Sequence, residues 1–216
     1  MTRGYINYLQ GYDLEGWHAP EITGNRYLGL GNWSADDIVA YLHTGGNRFS
    51  VAAGSMGEAV TDSTQYMTVA DLHAVATYLK SLPGSGRSAP APLPASDQTM
   101  ALGHALYQTN CAACHNANGT GVDAMVPSLA NSPGVQAPGA NNVIRTILVG
   151  GRGAPTASNP TSAQMPTFAW KLSDADIAAI ATYVRNSWGN AAQAVDAKAV
   201  HALRVRLGAQ SALEMH

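Results

Sequence analysis

The stretch DQTMALGHALYQTNCAACH, residues 97–115, decides how this chain is read. Its first part, 97–110, has the composition of a helix and leads straight into Cys111-Ala-Ala-Cys114-His115. The sequence holds 2 cysteines, and both are here. Four residues cannot hold a disulfide framework, so the thiols serve another chemistry.

Cys-x-x-Cys-His is the pattern of c-type haem attachment. The spacing sets two thiols one helical turn apart on one face, where they can add to the two vinyl groups of a haem as thioethers. The next residue, His115, then projects its imidazole over the macrocycle as the proximal iron ligand. Coordination through Nε2 leaves Nδ1–H to donate to a backbone carbonyl, and a carbonyl beside Pro127 is the expected acceptor. A zinc site would need about two further ligands, yet neither a second cysteine pair nor a paired-histidine motif is present. A thioredoxin-like pair belongs in a strand-to-helix setting, whereas these flanks are helical. The expectation is one haem c per chain. Met165, within Gln164-Met165-Pro166-Thr167-Phe168, is the expected axial ligand on the other face, because a thioether favours ferrous iron. Ordinary core packing is the alternative for this methionine. Met125 follows His115 too closely to reach the far face, and His104 reads as a surface residue on the entering helix.

The whole chain has 216 residues, with 12 Lys+Arg against 14 Asp+Glu and a formal net charge of −2. Charged residues make up only 12% and hydrophobic residues 46%, which excludes a disordered, charge-rich chain. A balanced charge and a pI near 6.4 exclude nucleic acid as a main partner, since phosphate binding needs a basic stripe. Mean hydropathy is −0.07, and no apolar run approaches the roughly 20 residues that span a bilayer. The N-terminus has no charged region followed by an apolar one, so no secretory signal is read there. No Ser-His-Asp set, P-loop or dinucleotide fingerprint occurs.

The run PGSGRSAPAPLPASD (83–97) reads as a semi-rigid, polyproline-like linker. It divides the chain into segment one (1–83), linker (84–97), segment two (98–190) and a tail (191–216). The two segments repeat each other. TVADLHAVATYLKSLPG (68–84) aligns without a gap on SDADIAAIATYVRNSWG (173–189), each a helix with a Ser/Thr cap and a closing glycine. DDIVAYLHTGG (36–46) likewise parallels NNVIRTILVGG (141–151), with Asp36 and Asp37 as first-turn helix acids. Each copy carries a methionine between its helices, Met56 and Met165. Segment one lacks a counterpart of 97–115.

Gly103-x-x-x-Tyr107, CAACH, Pro127, QMPTF and DADIAAIATYVR together resemble a class I cytochrome c domain. The resemblance implies an all-α fold, here as tandem domains with the first incomplete. It implies that the helix with Gly103 and Tyr107 crosses the last helix at Tyr183. GWHAPEITGN, GLGNWSADDIVAYLHTG and GSMGEAV are similar to the second domain of triheme cytochrome c subunits of bacterial membrane-bound dehydrogenases for alcohols, aldehydes, gluconate and sugar alcohols. The family implies electron transfer rather than catalysis by this chain itself. Its expected partners are a dehydrogenase catalytic subunit and membrane quinone or another cytochrome. The expected place is the periplasm, peripherally at the outer face of the cytoplasmic membrane. A haem enzyme or sensor with an open iron position is the alternative.

One departure stands out. Family members carry three attachment motifs and this chain has one, so Met56 matches an axial methionine without a haem to bind. An internal start at residue 1 is the expectation that follows. Of the remaining residues, Trp17, Trp33 and Trp188 read as core, and Trp170 as a wall of the haem pocket. Arg145 and Arg152 read as candidate partners of haem propionates. His18, His43, His73 and His201 receive no role. The tail is expected to form a weakly amphipathic helix (Val195, Ala199, Ala202, Leu203, Leu207), either docked to a membrane or subunit or solvated.

Overall fold

The same three-residue device starts the main helices of both repeats. Ser34 caps α1 (Ala35–Thr44) and Ser173 caps α8 (Asp174–Val184), each with a reciprocal capping box to Asp37 or Asp176. Thr68 caps α3 (Val69–Ser81), its hydroxyl accepting from the Asp71 amide. The computed structural model describes residues 8–14 and 16–214. Between these helices lie α2 (Ser55–Asp62), α4 (Gln98–Asn110), α5 (Ala112–His115), α6 (Pro133–Gln136) and α7 (Asn141–Val149), with α9 (Ala197–Glu214) last. A 3-10 turn (Thr64–Tyr66) leads into α3, and the described residues also form two short antiparallel pairs. They are β1 (Tyr12–Leu14) with β2 (Trp17–Ala19), and β3 (Gly151–Arg152) with β4 (Gln164–Met165). The fold is all-α in its framework.

Segment two holds the larger core. Tyr107, Ile144, Leu148, Ile177, Ile180 and Val200 are all fully buried there. α4 crosses α8 at Gly103, where a Cβ would stand 2.2 Å from the Ala179 carbonyl oxygen and 2.6 Å from the Tyr183 Cβ. Only glycine permits that approach. Segment one has a smaller core, in which Trp33, Ile38, Val39, Leu72 and Ala76 join α1 to α3. Trp33 stacks on Phe49 with ring centroids 5.5 Å apart.

The linker is not the sole connection between the segments. The Ala154 amide donates to the Ala52 carbonyl at 2.9 Å, and Asn142 exchanges two 2.8 Å hydrogen bonds with the His18 backbone. The Tyr27 hydroxyl donates to the Ala191 carbonyl at 2.6 Å. The linker is tied down as well, with Asn25 Nδ2 donating to the Ser85 and Arg87 carbonyls and Leu93 N to Asn186 Oδ1.

The tail corrects an expectation. α9 lies on α7 and α8, burying Val200, Leu203 and Leu207 in the segment-two core, with Val195 just ahead of it. Ala199 and Ala202, placed by the sequence on the apolar face, are exposed. The helical register follows the three branched side chains, which gain more from burial than alanine does. The tail's apolar face is therefore taken up within the chain. No helix among the described residues is long and apolar enough to cross a membrane.

Candidate haem attachment site

Three tethers place the attachment motif. α4 ends at Cys111, whose amide still bonds to the Tyr107 carbonyl at 2.8 Å. The chain then turns into α5, with the Cys114 and His115 amides both returning to the Cys111 carbonyl. One turn separates the thiols. Tyr107, fully buried in α4, donates its hydroxyl to the Asn116 carbonyl at 2.6 Å and so pins the residue following the histidine. Beyond it, Gly121 donates its amide to the His115 carbonyl. A Cβ at Gly121 would sit 2.2 Å from the Val126 carbonyl oxygen, and its φ of +63° favours glycine independently.

His115 is buried, and its Nδ1 lies 3.2 Å from the Pro127 carbonyl oxygen. A carbonyl can only accept, so Nδ1 carries the proton and the Nε2 lone pair is left for a metal. Burial lowers the imidazole pKa, with the Pro127 hydrogen bond acting the other way. The ring is thereby kept neutral, the form that ligates iron. Cys111 is half-buried against the segment-two core, while Cys114 is exposed. Burial, followed by the neighbouring Cys114, pushes the Cys111 thiol up to about 11, with Lys171 opposing. That is opposite to a redox-active Cys-x-x-Cys, where the nucleophilic thiol is acidified. Among the described residues no group of three or more His, Cys, Asp or Glu side chains is placed to hold a metal by itself. A neutral, oriented imidazole beside two thiols one turn apart fits haem c.

Met165 lies half-buried on β4 and packs on the same core that Cys111 touches. Its strand partner is Gly151. The loop after it is tied to α7, Phe168 N donating to the Ile147 carbonyl at 3.0 Å and Thr167 Oγ1 to that of Leu148 at 2.5 Å. Met125, by contrast, is exposed. Met56 sits in a separate cluster with Ala52, Val60, Ala154 and Tyr41.

The other expected residues are distributed differently. Trp170 turns its ring to solvent, 80% exposed, and its indole N–H donates to the Thr167 carbonyl, because Phe168 rather than Trp170 packs on the core. Arg145 points away toward segment one, its guanidinium 4.4 Å over the Trp17 ring in a cleft between the segments. Arg152 donates Nε to Ser162 Oγ at 3.3 Å. His104 is exposed beside Tyr183. Trp33 lies in the core, and Trp188 packs 4.9 Å from Tyr107. His18 is buried and paired with Asp13 at 2.7 Å, although the sequence offered no reason to single it out. The Tyr107–Asn116 clamp also went unread. Its only signal was a polar-tipped aromatic on the buried side of α4.

A helix crossing at glycine, followed by a motif with an oriented imidazole, defines a cytochrome c domain. Residues 100–188 match the Cytochrome c family, and this part of the chain carries covalently bound haem c. Over most of its length the chain is similar to cytochrome subunits of dehydrogenases. It is 35% identical over 214 residues to the gluconate 2-dehydrogenase cytochrome c subunit of Pantoea cypripedii (93% of this chain, 48% of the relative). It is 38% identical over 202 residues to the alcohol dehydrogenase (quinone) cytochrome c subunit of Gluconobacter oxydans (88% and 41%). It is 35% identical over 224 residues to the fructose dehydrogenase cytochrome subunit of Gluconobacter japonicus (91% and 46%). The chain spans less than half the length of each of these relatives.

Proposed function

We propose that the chain is an electron-transfer subunit of a dehydrogenase complex. It takes single electrons from a catalytic subunit that oxidises an alcohol, aldehyde, sugar acid or sugar alcohol, and passes them to membrane quinone or another cytochrome. The reading places it in the periplasm, at the outer face of the cytoplasmic membrane. The names of the relatives support the dehydrogenase partner; the observation that carries electron transfer is His115, buried and locked through Nδ1 to the Pro127 carbonyl.

When bound, haem c supplies a reversible one-electron Fe(III)/Fe(II) couple. The chain's residues hold and tune it. Cys111 and Cys114 would anchor the ring, His115 would ligate one face and Met165 the other. The fixed His115 tautomer raises the basicity of Nε2, and the Tyr107 clamp holds the motif's exit. Such a frame needs no rearrangement when charge changes, which suits repeated electron transfer. Trp170 lies exposed and Arg145 sits over the Trp17 ring.

The test is Met165→Ala in protein matured in a periplasm. The parent should show one haem per chain by pyridine haemochrome and a ferric sulfur-to-iron band in the near infrared. The variant should lose the band, fall in reduction potential and bind cyanide readily. A parent that is already high-spin and binds carbon monoxide would replace this reading with a haem enzyme or sensor.

A further inference from the structure

The C-terminal end of α7 and the loop that carries Met165 are joined through Thr167. The last carbonyls of a helix find no partner within it and must be met from outside. On α7 the Thr146 carbonyl receives the Gly150 amide at 2.9 Å. The next two carbonyls are met by the methionine loop: that of Ile147 by the Phe168 amide, that of Leu148 by the Thr167 hydroxyl. The same hydroxyl accepts from the Ala169 amide at 3.3 Å, and the Thr167 carbonyl accepts from the Trp170 indole at 3.1 Å. Thr167 is therefore fixed at both its side chain and its backbone. Only Pro166 separates it from Met165, and a proline ring locks φ near −65°. With so stiff a spacer, a shift of Thr167 is passed to Met165 rather than absorbed between them.

The other repeat caps its helix in the same way. Tyr41 and Gly45 align with Thr146 and Gly150, and the Gly45 amide donates to the Tyr41 carbonyl at 3.1 Å. The following carbonyl, that of Leu42, receives the hydroxyl of Thr64, from the 3-10 turn after α2. Thr64 stands eight residues after Met56, whereas Thr167 stands two after Met165. The cap is thus common to both repeats, but only Thr167 is near enough to its methionine to place it.

We propose that Thr167 is a positioning residue for the axial methionine: its hydroxyl, by capping α7, holds the Met165 sulfur at the iron and keeps added ligands off it. The hydroxyl is the acting group. Valine has the same shape but donates nothing to the Leu148 carbonyl, and serine keeps the donor while losing the methyl group. The proposal rests on Met165 being the axial ligand, and the experiment separates the two.

The experiment measures imidazole binding to the ferric, haem-loaded full chain in the parent, Thr167→Val, Thr167→Ser and Met165→Ala. Imidazole takes the iron only while the sulfur is off, so its apparent affinity scales with the fraction of molecules in that state. Losing a hydrogen bond of ordinary net worth should raise the affinity of Thr167→Val roughly three- to tenfold. Thr167→Ser should bind as the parent does. Thr167→Val added to Met165→Ala should change nothing further, because no sulfur is left to position. Thr167 is exposed, so its variants should keep the fold, checked by an unchanged far-ultraviolet circular dichroism spectrum. A threonine with a merely structural role would lower the urea midpoint and leave imidazole affinity at the parent's value, which overturns the proposal. Equal gains in Thr167→Val and Thr167→Ser, or a valine effect that persists without Met165, overturn it as well. The near-infrared sulfur-to-iron band of the parent tells which reading has failed. With the band present, only the role of Thr167 falls; a parent without it, binding imidazole as tightly as Met165→Ala, removes the ligand assignment and the proposal together.

Discussion

Lys80 and Arg185 stand at the same position of the two repeats and make the same tie. Each sends a cation into backbone carbonyls of the stretch that leads to the first of the two helices the repeats share, α1 or α7. Lys80 Nζ donates to the Trp33 carbonyl at 2.7 Å, just before α1. Arg185 Nη1 donates to the carbonyls of Val135, Ala137 and Gly139 at 2.7, 3.1 and 3.1 Å, just before α7. The duplication thus extends from helices to a shared way of fixing the loop between them.

The two ties differ in burial, and a stability measurement should show it. Arg185 is 2% exposed, so Arg185→Ala removes charged hydrogen bonds and leaves buried carbonyls without a donor. The expected loss is about 2–4 kcal/mol. Arg185→Lys should recover only part, because an ammonium lacks the planar fork that reaches several carbonyls at once. Lys80 is exposed, and Lys80→Ala should shift the urea midpoint far less. Equal losses at the two positions would show that burial does not set the strength of this tie.

Gly103→Ala tests the helix crossing. Alanine improves intrinsic helix propensity by about 1 kcal/mol over glycine. Against that, its Cβ would meet the α8 backbone at Ala179 at 2.2 Å, which no side-chain rotation relieves. Overpacking of this kind costs about 1–3 kcal/mol, and the helices must part to accept it. The net outcome should be a lower thermal midpoint with haem content unchanged. A stabilised variant would mean that the crossing is looser than the structure gives.

What was readable in the sequence is local. The CAACH spacing, the capping Ser and Asp residues and the gap-free repeat are all encoded within a few turns, and the structure builds α1, α3, α4 and α8 on them. The His115–Pro127 contact spans a short loop. The rest depends on contacts between distant residues. Trp17 stacks with Arg145 across more than half the chain, and neither residue's neighbours announce the other. The turn at Gly16 that forms the β1–β2 pair sits in a stretch without strand alternation. On the tail, Val195, Leu203 and Leu207 are buried as the sequence suggested, while Val200 takes the place expected of Ala199 and Ala202.

Met56 and Met165, equivalent in the repeat, should respond differently to the same change. Met56 lies in a small cluster with Ala52, Val60 and Ala154, apart from the core that holds Cys111. Met56→Leu keeps volume and apolarity and should cost less than about 1.5 kcal/mol. The visible and near-infrared spectra of the haem protein should not move. Met165→Leu should instead abolish the sulfur-to-iron band. A spectral change in the Met56 variant would place its sulfur at the iron and reverse the assignment.

The docking of α9 should weaken in acid through one carboxylate. Asp174, in the first turn of α8, receives Arg204 Nε at 2.7 Å and faces His201 Nδ1 at 3.0 Å. Arg204 also donates to the Ala169 and Leu172 carbonyls, so this pair joins α9 to the loop before α8. Burial acts to raise the Asp174 pKa, but the hydrogen bonds from Arg204 and His201 outweigh it and hold the carboxyl below its ordinary range. A carboxylate with a lowered folded pKa stabilises the fold fully above its unfolded value, and that contribution disappears as pH falls through the folded one. The thermal midpoint of the parent should therefore exceed that of Asp174→Asn by a constant amount near neutrality. The gap should close below the ordinary carboxylate range. Amide exchange across residues 197–207 should accelerate over the same acid window in the parent and not in the variant. A gap that persists undiminished in acid would show that α9 is held by Val200, Leu203 and Leu207 alone.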